Sequence, residues 1–395
     1  MKRIVLFAII ICFLFTSCQQ KNTDSPSDIP ELRGIWIPYY DHISASGKSA
    51  DEYKAETDKM FELIKSFGFN TAFVHMRAFS DAFYESEIYP YSAFIAESEG
   101  ADIDFDPFTI LLESAKENNI SVHGWINPFR ISSSGNIDKI SISNPAKPLI
   151  ESKSDEICIL ENGIYYNPSC EENHSRIIDG IREIIRKYDV DGIHIDDYFY
   201  PSVSKAVDEK QYSEYVSKGG GMTLEEWRTS NINAFVSALY TAVKAENSKL
   251  IFSISPSGKT DDNKLIHFAD CELWLAGNGY ADLIIPQIYF GFEHGTADFT
   301  TLLNQWGNFE RNKNISLACG IAAYKCGNTD EYALAGKAEW QENTDILARQ
   351  LSCIRNNPDY NGFVMFAYSD LTRAACSEEM QNFKSTLRGT NNEKD

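Results

Sequence analysis

The sequence predicts a TIM (β/α)8 barrel of parallel strands. Eight short, near-continuous apolar segments alternate with helix-length segments, the pattern of a parallel sheet covered by helices on its outer face. Eight such units favour closure over an open doubly wound sheet. No GxGxxG or GxxxxGK[ST] run follows any of them, so nucleotide binding has no support.

The first strand is Leu32-Arg-Gly-Ile-Trp-Ile-Pro-Tyr-Tyr40. A helix from about Asp51 to Phe67 follows and stops at Gly68, a residue suited to a helix C-terminus. Thr71-Ala-Phe-Val-His-Met76 is the second strand. A long loop leads to a helix near 107–118 with Pro107 at its start. The third strand is Ser121-Val-His-Gly-Trp-Ile-Asn127, and a second long loop precedes a helix at 173–188. The fourth strand spans 192–198. A helix at 223–246 leads to the fifth, Leu250-Ile-Phe-Ser-Ile-Ser255. The sixth is Leu283-Ile-Ile-Pro-Gln-Ile-Tyr289. Helices near 298–311 and 341–355 flank the seventh, Ile315-Ser-Leu-Ala-Cys-Gly-Ile321, and precede the eighth, Gly362-Phe-Val-Met-Phe-Ala-Tyr368.

Side chains alternate along a strand, so residues two apart share a face. In the fourth strand Ile193 and Ile195 share one face, and His194, Asp196 and Tyr198 the other. The apolar face should meet the helices and the polar face the barrel mouth. The split recurs: His75 and Arg77 in the second strand, His123, Trp125 and Asn127 in the third, Ser253 and Ser255 in the fifth, Gln287 and Tyr289 in the sixth. The first strand brings Tyr39 and Asp41, the eighth Tyr368 and Asp370. A dry core does not tolerate so many unpaired polar groups, whereas a wet pocket for a hydroxyl-rich ligand does. Barrels of this class keep catalytic groups at the C-terminal strand tips. Asp196 and Asp197, adjacent at one tip and followed by aromatics, are therefore the candidate catalytic pair. Glycoside hydrolysis uses two carboxyls, one to protonate the leaving oxygen and one as nucleophile or base. Neighbours on one strand rarely flank a scissile bond, so the second carboxyl is expected from another strand, with Asp41, Asp370 and Glu293 as candidates. The alternative for the pair is structural, in loop capping or in ion pairs with Arg77 or Arg130.

Several blocks carry a family resemblance: Glu31-Leu-Arg-Gly-Ile-Trp36, Arg77 with Asp81-Ala-Phe-Tyr84, Val122-His-Gly-Trp-Ile-Asn-Pro-Phe-Arg130, Tyr166-Asn-Pro168, Gly192-Ile-His-Ile-Asp-Asp-Tyr-Phe-Tyr-Pro201 and Pro286-Gln-Ile-Tyr289. From about residue 30 to 372 the chain resembles the glycosyl-hydrolase-like ten family. The resemblance implies a bacterial TIM-barrel lipoprotein, and for some members hydrolysis of peptidoglycan glycan strands already stripped of peptide. It implies an active site at Asp196 and Asp197, surrounded by Arg77, Asp81, Asn127, Arg130 and Gln287. His123, His194, Tyr198, Tyr289, Tyr368, Asp41 and Asp370 join the candidate substrate-binding set from strand parity. Unlike amylase-type barrels, His194 rather than Arg stands two residues before Asp196, and the fifth strand ends in Ser-Pro-Ser-Gly without a Glu. The general acid and the stereochemical outcome stay open.

The two ends complete the expectations. Lys2 and Arg3, an apolar run from Ile4 to Phe15, and Thr16-Ser-Cys18 form a lipoprotein signal over residues 1–17, with lipid on Cys18. Residues 18–29 are polar and read as a tether to one barrel domain spanning 30–390. The expected location is the bacterial envelope, held at a membrane surface by the lipid. Loss of Lys2 and Arg3 takes the formal charge from −21 to −23. So acidic a surface repels nucleic acid and favours a polysaccharide partner such as a peptidoglycan glycan strand. Of nine cysteines, seven remain after Cys12 and Cys18, without CxxC spacing; the one local pairing is Cys319 with Cys326. No cofactor or metal is expected, because the first strand has Asp41-His42 where metal-dependent barrel hydrolases carry HxH. The alternative reading is a glycan-binding lipoprotein that retains the cleft without catalysis.

Overall fold

The computed structural model describes residues 30–389. The signal sequence, Cys18 and the tether lie outside the described residues.

Eight parallel staves surround a common interior: β1 (Leu32–Ile37), β2 (Thr71–Arg77), β3 (Ser121–Ile126), β4 (Gly192–Ile195), β5 (Ile251–Ile254), β6 (Leu283–Ile284), β7 (Ser316–Leu317 continued by Cys319–Ala322) and β8 (Gly362–Phe366). Each pairs with its neighbour in sequence, and β8 closes on β1 with Leu32 opposite Gly362. The two pieces of β7 share the work of closure, the first pairing with β6 and the second with β8. The expected TIM barrel is therefore the observed one. Several strands end earlier than the sequence suggests. β6 retains two of its seven predicted residues, because Pro286 has no amide to continue the ladder. Beyond it, Gln287 still bridges Ser257 and Gly320.

Strand parity sorts the core. Ile35, Val74, Val122, Ile193, Ile254 and Met365 point outward into the helix layer. Trp36, Phe73, Trp125, Leu283, Ile285, Ala318 and Val364 fill the interior. Burying each of the larger side chains contributes roughly 1.5–3 kcal/mol, so the two layers dominate stability. The main helices of the outer layer are α1 (Ala50–Phe67), α2 (Pro107–Glu117), α3 (Glu171–Lys187), α4 (Leu224–Glu246), α5 (Phe299–Gly307), α6 (Ile346–Asn356) and α7 (Ser377–Gly389). Ser49 and Glu52 form a capping box at the start of α1, and Gly68 ends it with φ 100°. Thr223 and Glu226 repeat the capping box on α4.

The second long excursion folds rather than loops. Arg130–Ser132, Gly163–Tyr166 and Ile157–Leu160 make a small antiparallel sheet. The hairpin closes over the two residues Glu161 and Asn162, and Gly163 follows with φ 150°. A further excursion follows β4, with a helix at Glu209–Ser217. It is pinned by Arg228 of α4, which meets Asp208 at 2.6 Å with both side chains almost fully buried. Cys319 and Cys326 do not pair. Cys319 contacts its neighbour's carbonyl, and Cys326 lies instead beside Cys376.

Candidate active site

The apolar run of β4 stops at Ile195, where two backbone-directed contacts turn the chain. Asp196 Oδ1 accepts from Tyr198 N at 3.3 Å, and Asp197 O accepts from Phe199 N. This local turn leaves Asp196 at the foot of a cavity of about 570 Å³ and Asp197 on its wall. That volume lies within the range of small-ligand sites, roughly 300–1,000 Å³. The cavity opens at the C-terminal ends of the staves. A roomier groove of about 820 Å³ near Met222, Thr229 and Lys264 is built from helices and loops alone. No barrel-strand tip enters its wall, so it lacks the positions where such barrels place chemistry.

Asp196 is 2 % exposed. Its Oδ2 accepts from the indole N–H of Trp125 at 3.2 Å. Burial pushes the Asp196 carboxyl well above the usual range, the adjacent Asp197 charge pushes it further, and Arg130 opposes both. Burial also raises Asp197, against the nearby ring of His267, 3.9 Å away, and the side-chain amide of Gln287. Two neighbouring carboxyls that repel each other's charge in a buried site titrate as a unit, and the pair keeps one proton more readily than either acid does in water. Such a group is suited to protonating a leaving oxygen.

The surroundings hold the pair in place. His75 stacks on Trp125 with ring centroids 3.4 Å apart. Its Nδ1 accepts from Tyr39 N, so Nε2 carries the proton and donates to Asn127 Oδ1 at 3.1 Å. Burial lowers His75 well below its ordinary value, so it stays neutral and serves as a spacer. The Gln287 amide donates to Ser255 O at 2.9 Å while also meeting Asp197. The Arg130 guanidinium lies between the rings of Tyr198, at 4.5 Å, and Phe79, at 4.8 Å.

The family model described as glycosyl hydrolase-like 10 matches residues 31–338. The chain belongs to this family. Among relatives of this glycosyl hydrolase-like 10 member, glycosyl hydrolase YngK of Bacillus subtilis is 30% identical over 365 residues, covering 87% of this chain and 69% of YngK. Glycosyl hydrolase DigH of Escherichia coli is 24% identical over 392 residues, covering 90% and 87%. Among solved structures, the PgaB (BpsB) glycoside hydrolase domain from Bordetella bronchiseptica superposes with a TM-score of 0.60 at 10% identity, over 91% of this chain and 99% of that one. The catalytic domain of β-amylase from Paenibacillus polymyxa does so with 0.56 at 11% identity, over 91% and 98%. Likeness at such identities speaks for the fold alone.

Of the residues singled out from the sequence, Asp196, Asp197, Tyr198, Asn127, Arg130, Gln287 and Tyr289 line the cavity together, along with Tyr39, His75, Trp125 and Ser255 of the same strand faces. The others do not. Arg77 was expected on the face of His75, but the ladder slips between them, so β2 bulges and the alternation breaks. Its guanidinium donates to the carbonyls of Asn127 and Pro128 at 2.9 and 3.0 Å, behind the wall. There it holds the segment that carries Asn127 and Arg130. Asp81 is buried beside it, and burial lifts its carboxyl to about 6.

His194 is fully buried below the cavity floor and satisfied. Its Nε2 accepts from Trp36 Nε1, so Nδ1 donates to Ser253 Oγ at 2.9 Å. His123 lies a layer deeper, its ring filling the space that a Cβ on Gly192 would need. Asp41 accepts from Ser369 N at 2.9 Å, and Asp370 from Arg373 Nε at 2.8 Å. Asp41 thereby joins the ends of β1 and β8, while Asp370 holds Arg373 within the turn after β8; both lie outside the cavity wall, as does Tyr368, which packs half-buried on the core. The expected second carboxyl from another strand is not in the cavity. Among the described residues, the carboxyls lining it are Asp196 and Asp197 alone, and Glu293 is exposed elsewhere.

The sequence reading passed over Trp36, Tyr40, Tyr324, Phe366 and His267 as lining residues. Phe366 shares parity with Tyr368 and Asp370 and is legible by that rule, whereas Trp36 is out of step with Tyr39 and Asp41, because the chain turns at Pro38 after β1 ends. His267 follows a short helix, Thr260–Leu265, and no periodic signal marks it.

Proposed function

We propose that this protein is an exported, lipid-anchored glycoside hydrolase that cuts glycosidic bonds in peptidoglycan glycan strands or a related polysaccharide by carboxylate acid/base chemistry. One observation carries the reading: two carboxyls with upward-shifted proton affinity sit side by side in an aromatic-walled cavity at the catalytic end of a glycosidase-type barrel. Rings such as Tyr40, Tyr198 and Tyr289 offer flat faces for sugars, and Gln287 and Asn127 offer hydrogen bonds to hydroxyls. The glycosyl hydrolase names of YngK and DigH support the same class. The envelope location and the lipid on Cys18 rest on residues 1–29.

The test is to incubate the protein with intact peptidoglycan, peptide-stripped peptidoglycan and a polysaccharide panel, and to read the products by mass. New reducing ends from the stripped strands are the expected result. Binding without cleavage of any glycan would leave the chain as a glycan-binding barrel.

A further inference from the structure

We propose that the nucleophile is supplied by the substrate: the carbonyl oxygen of a 2-acetamido group on the sugar, oriented by Asp197 while Asp196 acts as general acid. The inference rests on the glycosidase reading and adds the source of the nucleophile, which makes a 2-acetamido group on the sugar a requirement for cleavage.

Two independent features of the cavity lead there. The first is where its carboxyls stand. Hydrolysis by two protein carboxyls needs them on opposite sides of the scissile bond, about 5–5.5 Å apart for retention and 6.5–9.5 Å for inversion. Here both belong to the tip of β4. In an eight-stave barrel the facing wall comes from β8 and β1, whose tips contribute Phe366, Tyr39 and Tyr40. These carry no carboxyl. The acids just past them are engaged elsewhere, Asp41 with Ser369 N and Asp370 with Arg373. Among the described residues, then, nothing on the far wall can form a glycosyl ester or serve as a carboxylate base for water.

The second feature is an apolar floor beside the pair. Trp36, Tyr289 and Phe366 pack on one another there, with ring centroids 5.8 to 6.2 Å apart, and Trp125 meets Phe366 at 6.4 Å. Its edge is Trp125, the residue whose N–H reaches Asp196. An acetyl methyl can rest on this floor while the amide N–H and carbonyl face the two aspartates and the anomeric carbon.

The chemistry balances without another protein group. The Asp197 carboxylate accepts the amide N–H, increasing the electron density on the carbonyl oxygen. That oxygen attacks C1 and forms a C1–O bond as the glycosidic C1–O bond breaks. The Asp196 proton passes to the departing oxygen. Water then attacks C1 of the resulting oxazolinium, its proton returns to Asp196, the ring opens, and the acetamide is restored. Two inversions at C1 give net retention.

The experiment compares peptide-stripped peptidoglycan glycan strands, the same strands after chemical de-N-acetylation, and a panel of polysaccharides with only hydroxyls at C2. The expected result is cleavage of the acetylated strands with retention, and loss of about a thousandfold or more on de-N-acetylation, the scale set by removing an intramolecular nucleophile. A glucosamine-derived methylthiazoline, which mimics the bicyclic intermediate, should inhibit competitively. Comparable cleavage of the de-N-acetylated strands, cleavage of a 2-hydroxy glycan, or an inverted product would overturn the proposal and leave the glycosidase reading intact. Failure to cleave any of these glycans would overturn both.

Discussion

The indole N–H of Trp125 on β3 donates to Asp196 Oδ2 on β4 across 3.2 Å, and His75 on β2 stacks against the other side of the same indole. Three neighbouring staves thereby fix one carboxyl. The bond favours the ionised form of Asp196, while burial and Asp197 favour the protonated one. Burial wins, so the balance can be shifted by single substitutions.

Removing the donor should shift the pH profile. Trp125→Phe keeps an aromatic ring but withdraws a hydrogen bond that lowers the Asp196 affinity for its proton. The pair then retains the proton to higher pH. The alkaline limb of kcat/KM, where activity falls as the shared proton is lost, should move upward. A limb that stays in place or moves to lower pH counts against Asp196 as the acid.

Asp196→Asn and Asp197→Asn should each lower glycan hydrolysis by about a hundredfold to ten-thousandfold, the usual contribution of a positioned acid or base. Asp196→Asn should recover most on a substrate with an activated aryl leaving group, which needs no proton. Asp197→Asn should not recover. Equilibrium binding of the uncleaved glycan should persist in both. Because ionising a buried acid is costly, Asp196→Asn should also raise Tm at neutral pH.

Asp81 provides a separate test of linkage. Its folded proton affinity is raised to about 6, above the ordinary 3.8. The stability it contributes is fully present below about pH 4 and is lost as pH rises through 6. Asp81→Asn should therefore stabilise at pH 8, by at most about 3 kcal/mol, and change little at pH 4. Urea denaturation at the two pH values measures the difference.

The loop after the catalytic pair depends on a buried ion pair. Arg228 meets both Asp208 oxygens, at 2.8 and 2.6 Å, and also donates to Val203 O and Ser204 O. Asp208→Asn leaves a buried guanidinium without its counter-charge and should cost about 3–5 kcal/mol. Replacing both partners with apolar residues of similar volume should recover much of that loss. Chemical denaturation of the single and double variants gives the coupling directly.

The fold and the centre of the site are legible along the chain because a strand's period is two and most staves keep it along their length. Ile193 and Ile195 against Asp196 suffice to orient β4, and the same count places Asn127 and Gln287. The rule fails where the ladder itself is altered. The bulge in β2 turns Arg77 away, and Pro286 shortens β6 without removing Gln287 from its place. It also cannot tell depth: His194 and His123 have the inward parity of a site residue, yet lie in layers below the cavity, bonded or packed within the core.

By itself the sequence determined the barrel, the direction of its open end and the pairing of Asp196 with Asp197, since these follow from hydrophobic periodicity and chain adjacency. Only the tertiary structure decided which groups share that space. His267 arrives from a loop with no periodic signature, Asp41 and Asp370 are drawn into bonds with Ser369 and Arg373, and the far wall is left aromatic. The physical reason is that strand patterning acts between neighbours a few residues apart, whereas the content of a cavity is set by segments that meet across the barrel after closure.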